Sequence, residues 1–433
     1  MQYNQHALIS PGEQRARGCE KDPSMLYQMH ELQRRLLNPI TTFAEGAASF
    51  YTSPASPLSY LPFSREISAG YALLHRLGKD YEKPEFGISE TTVRGVKVAV
   101  TEEALVVKPF CVLKHFARAT KTRDPKVLLC APLSGHHSTL LRDTVRQLIT
   151  EHDVYVTDWV DARMVPLGEG TFHLDDYVAY VIEFIRILGP DVHVISVCQP
   201  TVPALVAISL MAAENDPKSP RTMTMMGGPI DTRRNPTEVN TLAMTKPFSW
   251  FENHVIYRVP SSYPGYMRRV YPGFLQHAGF VAMNPDRHVD SHWDFYKHLI
   301  EGDGESAGQH RAFYDEYNAV LDMDADYYLD TIRMVFQQHA LPNGTWVTGA
   351  TLQQRKVEPA AIRKTALFTI EGELDDISGS GQTEAAHGLC SGIPNARKQH
   401  FTAPKCGHYG IFAGRRWREL IYPKIAAFIR KHA

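Results

Sequence analysis

The chain has 433 residues, 43% of them apolar and 21% charged, which suits one elaborated globular enzyme and excludes a disordered or fibrous chain. Its formal net charge of −1 excludes the basic excess that nucleic-acid phosphates require. The six cysteines (Cys19, Cys111, Cys130, Cys198, Cys390 and Cys406) form no Cys-x-x-Cys pair, so zinc and dithiol redox sites lack their spacing.

The opening MQYNQHALISPGEQRARGCEK has no apolar signal core, and no run approaches the ~18 consecutive apolar residues of a membrane helix. A cytoplasmic protein with reduced thiols is the expectation. Residues 1–24 read as a polar, flexible extension. From Met25 the residues Leu26, Met29, Leu32, Leu36 and Ile40 recur at helical spacing, with Pro39 expected to kink or divide the helix. Such an amphipathic stripe usually packs on a core; contact with an apolar surface is the alternative. Residues 52–64 read as a loop and Glu66–Gly78 as a second helix.

After Pro84 the texture becomes β, with short strands at 95–107 and 109–116. KVLLCAPLS (126–134) is a continuous apolar run closed by Ser-Gly, as in a buried parallel strand. Helix 138–150, strand 153–158, helix 174–188, strand 191–197, helix 200–213 and strand 222–227 follow. This alternation predicts an α/β fold, with a mostly parallel sheet flanked by helices. It stops between about Pro229 and Arg363, where no clear buried strand occurs. Of the chain's 44 aromatic residues, 19 fall between Phe248 and Trp346, marking a second apolar cluster or an apolar binding surface. The β pattern resumes at 365–372, followed by a helix at 380–391, a strand near 397–403 and a last helix from Trp417 to Lys431. The expected domains are a core of residues 25–228 and 364–433, with 25–84 as its N-terminal helical segment, and a lid or cap insertion at 229–363.

Three segments at strand ends stand in the order nucleophile, acid, histidine. Val194-Ile195-Ser196-Val197-Cys198-Gln199-Pro200 joins a strand to a helix, the setting of a nucleophile elbow, although Ser196 and Pro200 stand where the common pattern has glycines. A cysteine there gains thiolate character from the helix N-terminus; a buried structural cysteine is the plainer alternative. Asp375 and Asp376 both follow a strand, and Asp375 has the better spacing to orient a histidine, with a helix cap as its plainer reading. His408, between Gly407 and Gly410, lies in a loop that can project a ring into a cleft. In Ala131-Pro132-Leu133-Ser134-Gly135-His136, Ser134 is the expected backbone donor of an oxyanion hole, with Gly135 or His136 as shifted registers. Gln199, after the nucleophile, would supply the other N–H.

Together MLYQMHELQRRLLNP, APLSGH, VCQP, GELDDISG and CGHYGIF resemble the intracellular poly(3-hydroxybutyrate) depolymerases, from Met25 to the C-terminus. The resemblance implies an α/β-hydrolase fold with a Cys198–His408–Asp375 triad and a thioester intermediate. It implies no cofactor or metal. The expected partner is amorphous storage polyester at a granule surface, with 3-hydroxybutyrate and oligomers as products; nucleic acid and membrane are not expected partners, and a homodimer is an open assembly. The alternatives are acyl transfer on the same fold, by coenzyme A thiolysis or polymer synthesis, and a non-catalytic granule-coat protein. Polymer synthases carry a Gly-x-Cys-x-Gly elbow, from which this chain departs at Ser196 and Pro200.

Overall fold

The computed structural model describes residues 25–283 and 285–433. The expectation for residues 1–24 lies outside the described residues.

The chain opens with a helical hairpin, α1 (Met25–Thr52) and α2 (Ser64–Gly78). Pro39 does not divide α1, which runs unbroken through it. The stripe expected to pack on a core faces outward instead. Small or polar residues, among them Glu31, Thr41 and Ala44, are buried with Tyr27, while Met29, Leu32, Leu36 and Ile40 are exposed.

Strands β1 (Glu90–Val93), β2 (Val96–Val107), β3 (Cys111–Arg118), β4 (Lys126–Cys130), β5 (Asp153–Trp159), β6 (Val192–Val197) and β7 (Thr222–Met226) come next. Between them lie helices α3 (Arg142–Leu148), α4 (Leu174–Leu188) and α5 (Thr201–Ala213). Residues of β4 to β7 are almost all buried; β4 reads as a continuous apolar run, while β5 to β7 bury polar residues such as Thr157, His193, Ser196 and Thr224 among apolar ones.

The segment between β7 and the next long strand holds helices α6 (Glu238–Thr245), α7 (Phe248–His254), α8 (Gly273–Met283), α9 (Pro285–Glu301), α10 (Gly304–Asn318) and α11 (Ala325–Thr331). It also holds three strands too short to show a pattern, β8 (Tyr257–Arg258), β9 (Arg269–Tyr271) and β10 (Met323–Asp324), which form a small antiparallel sheet. The segment does not sit apart from the rest. Leu321, Met323, Tyr327, Trp346 and Ile362 belong to the same apolar core as the large sheet.

Strands β11 (Ala366–Gly372) and β12 (Lys398–Ala403) complete that sheet, whose order is β1-β2-β3-β5-β4-β6-β7-β11-β12. From β5 to β12 every neighbouring pair is parallel, and β1 to β3 add an antiparallel edge. The expected helix at 380–391 is absent apart from one turn at Ala386–Leu389. Residues 380–385 form turns instead, and the carboxylate of Glu371, buried at the end of β11, accepts the backbone N–H groups of Gly381, Thr383 and Glu384. Among the described residues, no helix is long and apolar enough to cross a membrane.

Candidate active site

Cys198 follows β6 and precedes α5 with φ +67, a left-handed conformation that a non-glycine residue adopts only under constraint. The constraint is visible on both sides. The Cys198 N–H donates to Met226 O at 2.7 Å, and Thr201 N–H donates to Cys198 O at 3.1 Å. This strained strand-to-helix turn is the geometry of a nucleophile elbow.

The glycines missing from the elbow itself have counterparts on the neighbouring strand. Gly227 and Gly228 follow β7, and a Cβ on Gly228 would lie 1.8 Å from Thr201 Oγ1 at the start of α5. Helix and sheet therefore approach closely because the neighbour, rather than the elbow, lacks side chains. Pro200 already has helical angles, φ −58 and ψ −15. Pro203 is the third residue of α5, where its missing N–H is one that no helix satisfies internally.

Asp375 lies just past β11 and His408 just past β12, so the parallel pairing of these strands brings the two loops together. Leu374 N–H donates to Cys406 O at 2.9 Å and Glu373 N–H to Ala403 O at 3.0 Å, fastening one loop to the other. Gly372 must be glycine, because a Cβ there would stand 2.4 Å from Cys406 O. Asp375 Oδ1 accepts from the N–H groups of Ile377 (2.9 Å) and Ser378 (2.8 Å), which leaves Oδ2 to bond His408 Nδ1 at 2.8 Å. Cys198 lies close enough to the ring to act on its charge. Burial opposes charging of His408, but the Asp375 carboxylate and then Cys198 outweigh it and hold the ring's pKa well above its ordinary value. Asp376 is exposed, one residue beyond this arrangement.

Ser134 lies on the turn after β4, the strand paired with β6 through Cys130 and Ser196. Among the described residues, neither Ser134 N–H nor Gln199 N–H donates to a protein acceptor. The turn is clasped from the insertion: Leu321 N–H donates to Gly135 O at 2.8 Å, and His136 stacks on Phe280. Gly135, at φ +111, is approached so closely by Gln276 that a Cβ would lie 2.6 Å from its Oε1.

One residue near the thiol carries no motif to announce it. Tyr327, on α11, is fully buried at the end of an aromatic stack, 5.8 Å from the Tyr177 ring, which itself lies 4.2 Å from Trp159. Tyr177 Oη and Trp159 Nε1 both donate to Ala131 O, bracing the strand end before Ser134. Among the described residues the Tyr327 hydroxyl has no hydrogen-bond partner, and after burial itself the nearby Cys198 raises its pKa further. Gly227 was equally silent in the sequence, although a Gly-Gly pair closing a strand beside the elbow strand is a signal of close approach.

Residues 227–433 match the family model described as PHB de-polymerase C-terminus, a span that contains Asp375 and His408 and begins beyond Cys198. No curated protein matches the chain. Among solved structures the chain is similar to a 2-hydroxy-6-oxo-6-phenylhexa-2,4-dienoate hydrolase from Rhodococcus sp. strain RHA1, at 12% identity and TM-score 0.43, over 77% of this chain and 99% of that one. It is similar also to a thermophilic esterase from Thermogutta terrifontis, at 12% identity and TM-score 0.38, over 80% and 98% of the two chains. A monoacylglycerol lipase from Paleococcus ferrophilus gives 12% identity and TM-score 0.39, over 72% and 96%. The strand order, the elbow after β6 and the family match agree on a hydrolase of esters. The strand order and the elbow after β6 are those of an α/β-hydrolase fold, and residues 227–433 are similar to the PHB depolymerase family.

Proposed function

We propose that the protein hydrolyses the ester bonds of poly(3-hydroxybutyrate) at the surface of intracellular storage granules, through a thioester on Cys198. The observation that carries this reading is a single histidine, His408, held by Asp375 at 2.8 Å on one nitrogen and close to the elbow thiol.

His408 Nε2 takes the thiol proton, and Cys198 Sγ attacks the ester carbonyl carbon. The oxyanion that forms is met by the N–H groups of Ser134 and Gln199. Collapse breaks the ester C–O bond, and the imidazolium protonates the departing 3-hydroxyl of the polymer. His408 then takes a proton from water, the hydroxide attacks the thioester, and the C–S bond breaks to return the thiol and release a carboxylic acid. Asp375 keeps the proton of the neutral ring on Nδ1 and so leaves Nε2 free to accept.

The test is degradation of amorphous poly(3-hydroxybutyrate) particles by the wild type and by Cys198→Ala, with and without coenzyme A. Loss of turnover in the variant, with acid release in the absence of coenzyme A, is the expected result. Turnover that survives the substitution would remove Cys198 as nucleophile. Release only with coenzyme A present would replace hydrolysis by acyl transfer, and no release by the wild type in either condition would favour a granule-coat role.

A further inference from the structure

Among the described residues, sixteen of the thirty-one exposed large apolar side chains lie between Met25 and Leu77, an eighth of the chain. That concentration makes one face of the α1–α2 hairpin unlike the rest of the surface. At about 100° per residue, Met25, Met29, Leu32, Leu36, Ile40, Phe43 and Phe50 fall within an arc of about 80°. None of the four Arg and Glu residues of α1 lies on it. Arg34 and Glu31 turn the other way, toward Asp80 and Tyr263. Glu45 is nearly opposite the arc's centre, and Arg35 is about 100° from it.

The face continues onto α2. Tyr71 meets both Phe43 and Tyr51 at 6.2 Å, and Ile67 and Leu74, one turn to either side of it, are exposed. The segment joining the helices exposes Leu58, Tyr60, Leu61 and Phe63. Phe63 is 73% exposed and stands at φ +63, a costly conformation for a bulky residue, and nothing in the core repays it.

We infer that this face is where the protein lies on its substrate, a condensed and uncharged aliphatic polyester; the inference rests on the polyester reading above. Three observations select this occupant. A second copy pairing through α1 would need apolar knobs at every third and fourth residue, but the positions that alternate with Met29, Leu36, Phe43 and Phe50 are either Leu32, Pro39 and Gly46 or Leu26, Gln33, Ile40 and Ala47, so neither register gives an unbroken seam of large apolar residues. A broad arc running across two helices and a loop suits a plane better than a seam. An anionic lipid surface would call for Lys and Arg on the face, and the arc has none. Residues 1–24 offer Leu8 and Ile9 as their only adjacent large aliphatic pair, too little to cover the patch.

The opposite side of the hairpin meets the insertion. A cavity of about 580 Å³ lies between the hairpin and helices α8 and α9, with Leu37 and Leu77 on one wall and Phe274, Val281 and Val289 on the other. Helix α8 carries the Gln276 and Phe280 that cover Gly135, so the hairpin that bears the exposed face packs beside the helix that covers the Ser134 turn.

The experiment is co-sedimentation of the full chain, in a Cys198→Ala background, with amorphous poly(3-hydroxybutyrate) particles, comparing Leu36→Asp/Phe43→Asp and the milder Leu36→Ser/Phe43→Ser. Both positions are about two-thirds exposed, so folding is not at risk. With Cys198 intact, the same variants are assayed on the polymer and on a soluble p-nitrophenyl ester of a short acid. Particle binding and polymer turnover should fall at least tenfold with the aspartates and less with the serines, while soluble-ester turnover stays within twofold. Unchanged particle binding overturns the inference. So does a variant that merely splits a dimer while still binding particles, or a wild type that prefers phosphatidylcholine vesicles to polyester. Binding that falls as expected, together with polymer turnover that survives Cys198→Ala, would leave the docking face standing and sink the catalytic reading instead.

Discussion

Replacing Asp375 by Asn separates the orientation of His408 from the shape of its loop. Asp375 Oδ1 is committed to two donors, Ile377 N–H and Ser378 N–H, and Oδ2 to the ring. In Asp375→Asn the amide oxygen keeps the two N–H bonds. Turning it round would set an NH₂ group against two N–H donors, leaving buried groups unpaired at a cost of roughly 2–6 kcal/mol. The amide nitrogen therefore faces His408 Nδ1 and donates to it, which moves the ring proton to Nε2, where it blocks acceptance of the thiol proton. In a serine triad the equivalent change lowers kcat about 10⁴-fold, or ~5 kcal/mol in the barrier, and the same loss is expected here. The assay is kcat on a soluble short-chain ester, so that docking on polymer plays no part, with thermal unfolding measured in parallel. Asp376→Asn, at an exposed position, should stay within about threefold. A tenfold loss or less in Asp375→Asn, or a larger loss in Asp376→Asn, would refute the assignment of the acid and the proposed division of labour between its oxygens.

Tyr327→Phe should lower kcat on the soluble ester about 10- to 100-fold, with the melting temperature unchanged or raised, because it removes a buried hydroxyl that lacks a partner; unchanged kcat would reduce Tyr327 to packing. Gly227→Ala combines a left-handed φ of +55 with a Cβ placed 2.5 Å from Ile411 and 3.3 Å from both Asp375 Oδ2 and His408 Cε1. It should cost about 2–4 kcal/mol of stability and more than tenfold in kcat, read by denaturant unfolding and steady-state kinetics. Burial, then His277, lowers the His136 pKa to about 4. Between the ordinary value of ~6.5 and about 4 the unfolded chain binds more protons at this residue than the native one, so stability falls as pH falls through that window, by a few kcal/mol in all. His136→Phe keeps the stack on Phe280 and should flatten the acid limb of a melting-temperature profile; an unchanged limb would refute this.

The sheet was legible in the sequence because strand-like segments alternate with helical ones and because Val127–Cys130, buried throughout, reads as an unbroken apolar run. The strand ends then picked out Cys198, Asp375 and His408 by order alone, although their roles still rest on the tests above. Two kinds of information were not legible. Periodicity along α1 located a stripe without saying which side of the helix meets the protein; Tyr27, whose hydroxyl bonds Asp322 far along the chain, decides that. Residues 380–385 look helical but form turns whose N–H groups converge on the Glu371 carboxylate, and a long-range acceptor leaves no local trace. Tyr327 shares this obscurity as one of twenty tyrosines whose neighbour, Cys198, lies more than a hundred positions away.

The clasp on the Ser134 turn has an evolutionary corollary. Gly273 N–H donates to Asp322 Oδ1 at 2.8 Å, and a Cβ on Gly273 would lie 3.1 Å from the carbonyl carbon of Leu321. Gly273 and Asp322 thus tie together the two ends of the stretch that holds helices α8 to α10. Residues on either side of the knot, such as Val270, Leu321 and Met323, are buried. A change of length between 274 and 318 can therefore be absorbed without shifting any strand when Gln276 and Phe280 stay over the Ser134 turn and Glu316 stays bonded to Thr139. Grafting that stretch from one relative to another, with those contacts kept, is a route to new substrate preferences, whereas an exchange at 229 and 363 would tear Tyr327 and Trp346 out of the core that both parts share.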